Sequence, residues 1–284
     1  MNVMAATESA GIRPSRKVKA HLSFAKARGR TVLAGQKTPH PFHITRPFHY
    51  HGDPEDMATL YLQSSSGGLY GDDDLELRLS VGEGASAHVT TQASTIVHAA
   101  RGGQTRQSVH LTLGKNSHLE YLPDPAILFA GAHLQSEVTA DLSDGARLIL
   151  CDSALSHDPN GQHAPFERFA NTLKITSAHG SPILLDRSDV AGAEWAKRTG
   201  SLPVHGFMIV AGAIDAQATA DAITQRLPSE DTKIYGAVSP LVDRNLCTCR
   251  FLAADGASFT RTMDTAWRAA RWALVGTPPA ARRK

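Results

Sequence analysis

The stretch LEYLPDP, residues Leu119–Pro125, decides how the neighbouring chain folds. It ends a short β-prone run with two prolines, and proline cannot donate a hydrogen bond to a strand ladder, so the strand must leave its sheet here. Leu122 and Asp124 each precede a proline and are therefore restricted to extended backbone. The sequence predicts a stiff bend that carries Glu120 and Asp124, either as solvated carboxylates at a sheet corner or as part of a functional site.

Strand–turn units lie on both sides of this bend and resemble one another. Leu77–Ala85, Val109–Ser117 and Val138–Ala146 each alternate apolar and polar residues and then reach a turn rich in Gly, Asn or Asp. Their recurrence at roughly 30 residues is typical of a solenoid, although any antiparallel β protein also contains hairpins. We predict a mainly β fold, a layered β-helical or solenoid-like stack of hairpins.

Helical patterns come only late in the chain. One apolar stripe predicts a helix near residues 215–227, capped by Asp215 and stopped by Pro228, and a stronger stripe predicts a second helix near 262–275. With the short strands between them they make a small α/β region. We expect a single β-rich domain over 17–275, a flexible N-terminal arm over 1–16 and a tail over 276–284.

Composition restricts the functional classes. The formal net charge of the 284-residue chain is only +2, which argues against nucleic-acid or membrane partners. Three cysteines do not form a disulfide framework in a chain of this size. No secretory signal and no apolar run long enough to span a bilayer is visible. We therefore expect a soluble, cytoplasmic protein.

Two groups of residues are candidate metal ligands by type. The histidines His40, His43, His49 and His51 lie close together, and the last two would share one strand face, but they stand among prolines in a loop-like segment. Cys247 and Cys249 would also share a face. Two thiols alone do not make a closed zinc site, so we expect a packed pair.

Other motifs of catalysis are missing from the sequence. It has no phosphate-binding loop, no dinucleotide fingerprint and no nucleophile elbow. Its acidic segments, by contrast, place carboxylates on bends with few bases nearby in sequence. Together such groups could form a weak, oxygen-rich path for a divalent cation, whereas singly each is typical of a solvated turn.

At these same segments the chain resembles the urease accessory protein D family (UreD, called UreH in some bacteria). The resemblance runs from about Lys17 to about Val275. Its most specific match is Leu119–Pro125, and the others, in the same order as in the family, are GGLYGDD at Gly67–Asp73, TTQA at Thr90–Ala93 and ERF at Glu167–Phe169. The motif residues that we expect to be structural are Gly67, Gly68, Thr90, Thr91, Gln92, Tyr121, Pro123 and Pro125.

The resemblance implies a maturation factor rather than an enzyme. Family members have a layered β-helical fold with helices near the C-terminus, bind apo-urease and form a complex, expected to be a dimeric assembly, with the accessory proteins F and G. Protein G is the GTPase, which fits the missing phosphate loop. The complex is a chaperone of metallocentre assembly in nitrogen metabolism and inserts nickel into urease. We expect no tightly bound cofactor and only transient Ni²⁺.

The resemblance also suggests where nickel and partners would bind. If nickel passes through the protein, we expect the carboxylates of Asp73, Glu120, Asp124 and Glu167 to line or shape its path, because carboxylates release Ni²⁺ more readily than imidazole or thiolate clusters do. The alternative is structural, with Glu120 and Glu167 satisfying backbone donors at sheet corners. Trp272 lies off the apolar stripe of the last helix and is the candidate docking residue for protein F.

Two further functions stay open from the sequence. One is a β-solenoid metalloenzyme that uses the cluster His40–His51, which would require a closed ligand set and a nearby base. The other is a plain adaptor that never contacts metal. Whether the buried acidic residues join into a continuous channel distinguishes the adaptor from the metallochaperone.

Overall fold

Two β-sheets dominate the computed structural model, which describes residues 15–228 and 232–280. Most of the predicted arm (1–16) therefore lies outside the described residues, as do residues 281–284 of the predicted tail (276–284). The strands are β1 (Lys17–Ala27), β2 (Arg30–Lys37), β3 (Phe42–Ile44), β4 (Met57–Ser64), β5 (Asp74–Val81), β6 (Ser86–Thr91), β7 (Thr95–Val97), β8 (Thr105–Leu113), β9 (His118–Leu122), β10 (Ala126–Leu128), β11 (His133–Leu142), β12 (Arg147–Ser156), β13 (Arg168–Ser177), β14 (Pro182–Ala191), β15 (Val204–Gly212), β16 (Ile234–Leu241) and β17 (Leu246–Ala253). The helices are α1 (Gly192–Thr199), α2 (Ala216–Thr224) and α3 (Gly256–Val275).

In the solenoid, the long strands from β4 to β13 alternate between the two sheets. Sheet A has the order β14-β13-β11-β8-β5-β1-β2, and sheet B has the order β16-β17-β15-β12-β9-β6-β4-β3. The strands β5, β8, β11 and β13 run parallel in sheet A, and β4, β6, β9 and β12 run parallel in sheet B. The chain thus coils as a β-solenoid of about four turns, which confirms the predicted layered fold.

The repeated strand–turn units form the arches of this solenoid. Each unit joins a strand of sheet A to a strand of sheet B, so the two strands of a unit pair with the units above and below and not with each other; the units are not hairpins. The arches also bond to one another, since the Gly84 amide donates to the Lys115 carbonyl and the Asn116 amide to the Asp144 carbonyl, both at 2.9 Å. Arches and hairpins show the same alternation of apolar and polar residues along their strands. Only the pairing of the strands in the sheets distinguishes the two arrangements.

The LEYLPDP stretch ends β9 at a corner of the solenoid. The strand runs to Leu122, and after the two prolines the chain continues into the short strand β10, which pairs in parallel with β7 and β12 along a narrow third side. The predicted departure from the sheet at Pro123 therefore places the motif where one coil of the solenoid turns towards the next.

Two apolar clusters lie on opposite faces of sheet B. The larger one fills the space between the sheets, and the other lies between sheet B and the helices α2 and α3. The outer face of sheet A carries no such helical layer in the described residues. The central strands of sheet B, such as β6 and β9, are therefore buried on both faces, and any polar side chain on them must find partners inside the protein.

The helices differ in part from the sequence prediction. The last helix begins at Gly256, because Asp255 caps it by accepting a hydrogen bond from the Ser258 amide, and it ends at Gly276 in the left-handed conformation. The first helix of the late region spans Ala216–Thr224 with the Asp215 cap that the sequence predicts. Helix α1 was not predicted; it is short and mostly polar.

Candidate functional site

Glu120 lies buried at the centre of a charged network beneath helix α3. Its neighbours Leu119 and Tyr121 face the cluster between the sheets, so alternation turns Glu120 towards the helix. Arg271 makes a two-pronged pair with its carboxylate, with Nε at 2.6 Å from Oε1 and Nη2 bonded to Oε2, and Trp267 donates its Nε1–H to Oε2 at 2.9 Å. Both Glu120 and Arg271 have no exposed surface.

Helix periodicity explains how α3 reaches this carboxylate. Trp267 and Arg271 are four residues apart and share one helix face, and the guanidinium lies 4.9 Å from the indole centroid. Arg271 also pairs with Asp53 at 2.6 Å, and the Ala280 amide donates to the same Asp53 oxygen. Glu120, Arg271 and Asp53 therefore tie sheet B, the last helix and the loop before β4 together.

Two histidines complete the network. The Nδ1 atom of His88 lies 2.7 Å from Oε2 of Glu120, and Nε2 of His118 lies 3.6 Å from Oε1. Burial raises the pKa of Glu120, but the charge and hydrogen bonds of Arg271 and the bond from His88 outweigh it and hold that pKa well below its ordinary value. Burial lowers the pKa of His118 to about 4, despite the opposing charge of Glu120.

A cavity of about 730 Å³ opens near the first turns of the solenoid. Apolar side chains from both sheets line its inner part, and a Ser-, Gln- and Gly-rich rim surrounds it. Two of the sequence motifs meet at this rim, Gly67–Gly68 and Thr91–Gln92. The third, LEYLPDP, adjoins it, because the Asp124 amide donates to the Thr91 hydroxyl at 2.8 Å. The fold therefore brings together three motifs that lie up to about 55 residues apart.

Side chains at this rim form short hydrogen-bonded groups. His43 Nδ1 lies 2.6 Å from the Gln63 side-chain oxygen, and Gln63 in turn donates to Gln92. The Thr91 hydroxyl donates to Asp124 Oδ2 at 3.2 Å, and the Thr90 hydroxyl donates to the Leu122 carbonyl at 2.6 Å. The Thr-Thr-Gln motif thus connects the cavity mouth to the bend with the two prolines.

The other two predicted carboxylates have partners of their own, although Asp73 lies near the rim because its partner Arg16 also donates to the Gly68 carbonyl at 3.3 Å. Asp73 is buried against Arg16 and accepts the Tyr70 amide at 2.8 Å. Glu167 is 54% exposed and lies 3.3 Å from His133 Nδ1. Hydrogen bonds and ion pairs among the described residues connect none of Asp73, Glu120, Asp124 and Glu167 to another of the four.

The structure shows an interior carboxylate that sequence reasoning missed. Strand β12 turns Leu148 and Leu150 into the space between the sheets, so alternation places Asp152 on the same inner face. Asn171 of β13 donates its amide to Asp152 across that space. The signal in the sequence was a single Asp within the mostly apolar strand β12, where the pattern predicts a buried position and not a solvated turn.

No charged partner compensates Asp152. Burial raises its pKa, and the hydrogen bonds from Asn171 and the Ser153 amide oppose that shift only in part. Across residues 15–228 and 232–280, no Lys, Arg or His forms an ion pair with it, and the side-chain oxygen of Asn171 is buried without a hydrogen-bond partner. Asp152 is therefore bonded to neutral donors alone, and the Asn171 oxygen is a buried acceptor without a hydrogen bond.

The histidine-rich segment does not form a metal site. The side chains of His40, His43, His49 and His51 are all exposed. In the part of the chain that the structure describes, no group of three or more His, Cys, Asp or Glu residues is arranged to hold a metal ion. The predicted cluster for a metalloenzyme is therefore not assembled.

The remaining candidates fall into buried and exposed positions. Cys151, Cys247 and Cys249 are free thiols buried in the cluster under the helices. Trp267 is 1% exposed, whereas Trp272 is 48% exposed and is one of few large apolar side chains that face solvent. None of the helices in the described ranges has the length and apolar character needed to cross a membrane.

Comparison with known proteins gives consistent matches along nearly the whole chain. Residues 16–284 match the family model described as UreD urease accessory protein. The chain is 40% identical over 274 residues to urease accessory protein UreD 1 of Methylorubrum extorquens (strain PA1), covering 95% of this chain and 92% of the relative. It is 34% identical over 277 residues to UreD 3 of Bradyrhizobium sp. (strain ORS 278), covering 98% of each, and 34% identical over 278 residues to UreD 1 of Pseudomonas syringae pv. syringae (strain B728a), covering 93% of this chain and 95% of the relative.

Proposed function

This chain belongs to the UreD family of urease accessory proteins, and from that premise we propose that it binds apo-urease and, with accessory proteins F and G, helps to insert nickel into the urease active site. The family membership confirms the resemblance drawn from the motifs, and it makes the protein a factor in urease maturation. Protein G is the GTPase of the proposed complex, and this chain acts as scaffold and metallochaperone without a catalytic role of its own.

The observation that carries the nickel part of the proposal is the position of the motifs. Gly67–Gly68 and Thr91–Gln92 line one cavity, and Asp124 is bonded to Thr91 at its rim. The polar mouth of this cavity can receive a small hydrated ion, whereas its apolar inner part offers no ligands that would hold the ion there. Oxygen and amide groups at the mouth bind Ni²⁺ weakly enough to release it.

The four predicted carboxylates do not suit this role equally. Asp124 is the best placed, because its partner Thr91 lines the cavity. Glu120 is the least suited, since Arg271, Trp267 and His88 already satisfy it and a cation would have to displace a buried guanidinium. We propose that Glu120 is structural, through side-chain partners rather than the backbone donors expected from the sequence. Asp73 and Glu167 remain proposed as groups that shape the path.

Activation of urease in cells tests the proposed function. Urease subunits and the other accessory proteins are co-expressed with and without this chain, and urease activity and bound nickel are measured. We expect both to require the chain. Mature, nickel-loaded urease in its absence would overturn the proposal.

A plain adaptor that never contacts metal is the competing function. An Asp124→Asn variant removes the charge at the cavity rim and retains the size of the side chain, with Glu137→Gln, an exposed carboxylate on the outer face of β11, as the matched control. Under our proposal the first variant lowers the nickel content of urease and the second does not. Full nickel loading by both variants would favour the adaptor.

We also propose Trp272 as a contact for protein F. Its exposed indole is the kind of anchor that interfaces use, while Trp267 on the buried face packs against sheet B. We expect Trp272→Ala to reduce co-purification of protein F at unchanged stability of this chain. Undiminished co-purification would remove Trp272 from the interface.

A further inference from the structure

The last strand of sheet B, β16, leaves one of its edges without a partner strand among the described residues. Its other edge pairs antiparallel with β17, and the Ala254 amide donates to the Lys233 carbonyl at 2.9 Å just before β16 begins. Because bonded positions alternate along an antiparallel ladder, every second residue counted from Lys233 is bonded to β17. The backbone amide and carbonyl groups of Ile234, Gly236 and Val238 therefore point to the free edge.

This free edge lacks the protection that sheet edges usually carry. Natural proteins prevent unwanted strand pairing with charged side chains, prolines, bulges or very short edge strands. The edge strands β2 and β14 carry charged residues, and β3 is only 3 residues long. The 8 residues of β16 include no charged side chain, its ladder with β17 has no bulge, and Pro240 stands near its end. The edge from Ile234 to Val238 is thus open to another strand.

One face of β16 is uncovered as well. Ile234 and Val238 pack against the cluster beneath helices α2 and α3, so alternation turns Tyr235 and its even-spaced neighbours to the opposite face. Tyr235 is 72% exposed there, and Leu241 at the end of the strand is 38% exposed. An exposed apolar face beside an uncharged free edge is typical of a strand that pairs with another chain.

We propose that β16 pairs antiparallel with β16 of a second copy of this chain, so that sheet B continues across a two-fold axis. The occupant is a second copy because β16 has no charge that would select a charged strand, and two uncharged strands meet without repulsion. Centring the pair on Gly236 aligns Ile234 with the partner's Val238 and uses all their outward donors and acceptors. A shift towards the C-terminal end would bring Pro240 into the ladder, where it cannot donate.

This register brings Tyr235 close to its own counterpart. Tyr235 lies opposite the partner's Ala237 on the open face, which makes the two Tyr235 side chains diagonal neighbours at roughly 7–8 Å. Long side chains reach across that distance, so charges introduced at this position act on each other across the axis. A contact in which both copies use the same surface closes at the dimer. The dimer is independent of the proposed function, since it uses neither the cavity nor Trp272.

Sedimentation velocity of the purified full-length chain, without urease or other accessory proteins, tests the pairing. Loading concentrations run from about 1 to 100 µM, because small interfaces dissociate at micromolar affinity or weaker. We expect a concentration-dependent dimer and no larger species. Tyr235→Lys should weaken the dimer about tenfold or more, since two lysines then approach each other. Leu185→Lys, which changes an exposed apolar residue of the edge strand β14, is the matched control and should dimerise as wild type does.

Mixing oppositely charged variants gives the sharpest result. Tyr235→Glu alone should weaken the dimer as Tyr235→Lys does, whereas an equimolar mixture of the two variants should restore it. Thermal unfolding verifies that both variants fold as wild type does. A wild type that stays monomeric at about 100 µM, growth beyond the dimer, or a dimer that Tyr235→Lys leaves unchanged would overturn the proposal.

A different result would identify another occupant of the edge. If wild type is monomeric and Tyr235→Lys reduces co-purification of urease or protein F, the edge binds that protein and the pairing of two copies is wrong. Urease maturation in cells that lack the chain would instead overturn the proposed function, and it would leave the dimer unaffected.

Discussion

Glu120 and Asp152 are carboxylates on adjacent strands of one sheet, the first fully buried and the second half-buried, and their surroundings are opposite. Glu120 faces helix α3 and is satisfied by a guanidinium, an indole and an imidazole, whereas Asp152 faces the interior of the solenoid with hydrogen bonds from neutral amides and no ion pair among the described residues. The first arrangement holds parts of the fold together. The second pairs a carboxylate with neutral donors alone. The contribution of an interior carboxylate to stability therefore depends on its partners more than on its burial.

The largest loss of stability is expected from replacing Arg271, the cation that pairs with Glu120. Arg271→Met leaves Glu120 and Asp53 buried and uncompensated, which costs about 3–5 kcal/mol of stability. Urea unfolding of wild type and variant measures the difference. A loss below about 1 kcal/mol would mean that the network does not hold α3 to the sheet.

The next largest change in stability is expected when the pH is lowered, and it comes from His118. The pKa of His118 is lowered to about 4 in the folded protein, against an unfolded value near 6.5. Between these values the unfolded chain binds the proton more readily, so stability falls as the pH drops from 6.5 to 4, by up to about 3 kcal/mol from this residue. His118→Gln should flatten that part of the curve when unfolding is followed across the range, and an unchanged slope would contradict the assignment.

A smaller effect is expected from a single hydrogen bond in the network. Trp267→Phe keeps an aromatic ring against sheet B but removes the donor to Glu120, and a bond to a charged group contributes about 1.5–3 kcal/mol. Trp272→Phe on the exposed face is the matched control and should change stability by less than about 0.5 kcal/mol. Equal effects of the two substitutions would show that the indole donor is unimportant.

The smallest effect on stability should come from the second carboxylate. Because burial raises the pKa of Asp152, its ionisation above pH 3.8 opposes folding, and Asp152→Asn should leave stability unchanged or raise it slightly. Thermal unfolding at pH 7 measures this. A clear destabilisation would mean that Asp152 is structural, as Glu120 is.

The sequence predicted the fold more completely than it predicted the candidate site. The two prolines after Leu122 and the recurring turns were sufficient to indicate a layered β architecture, because both act through local backbone geometry. The arches were taken for hairpins because the strand period is the same in both. Helix α3 was predicted six residues short, since its first turn is capped by Asp255 but carries a weak apolar pattern.

The site was harder to predict because its contacts join distant parts of the chain. Glu120 and Arg271 are 151 residues apart, and no periodicity connects a strand residue to a helix of another region. The resemblance selected Glu120 as a candidate residue, but its partners, which decide its role, appear only in three dimensions. Asp152 had no motif around it, and its inner position follows only from the pairing of β12 with its neighbours.

The most direct test of the contrast between the two carboxylates is urea unfolding of Glu120→Gln and Asp152→Asn, measured side by side at pH 7. Our account predicts a large loss of stability for Glu120→Gln, because it removes a charge paired with the buried guanidinium of Arg271, and little or no loss for Asp152→Asn, because Asp152 accepts hydrogen bonds from neutral donors. Equal losses of stability in the two variants would contradict the account.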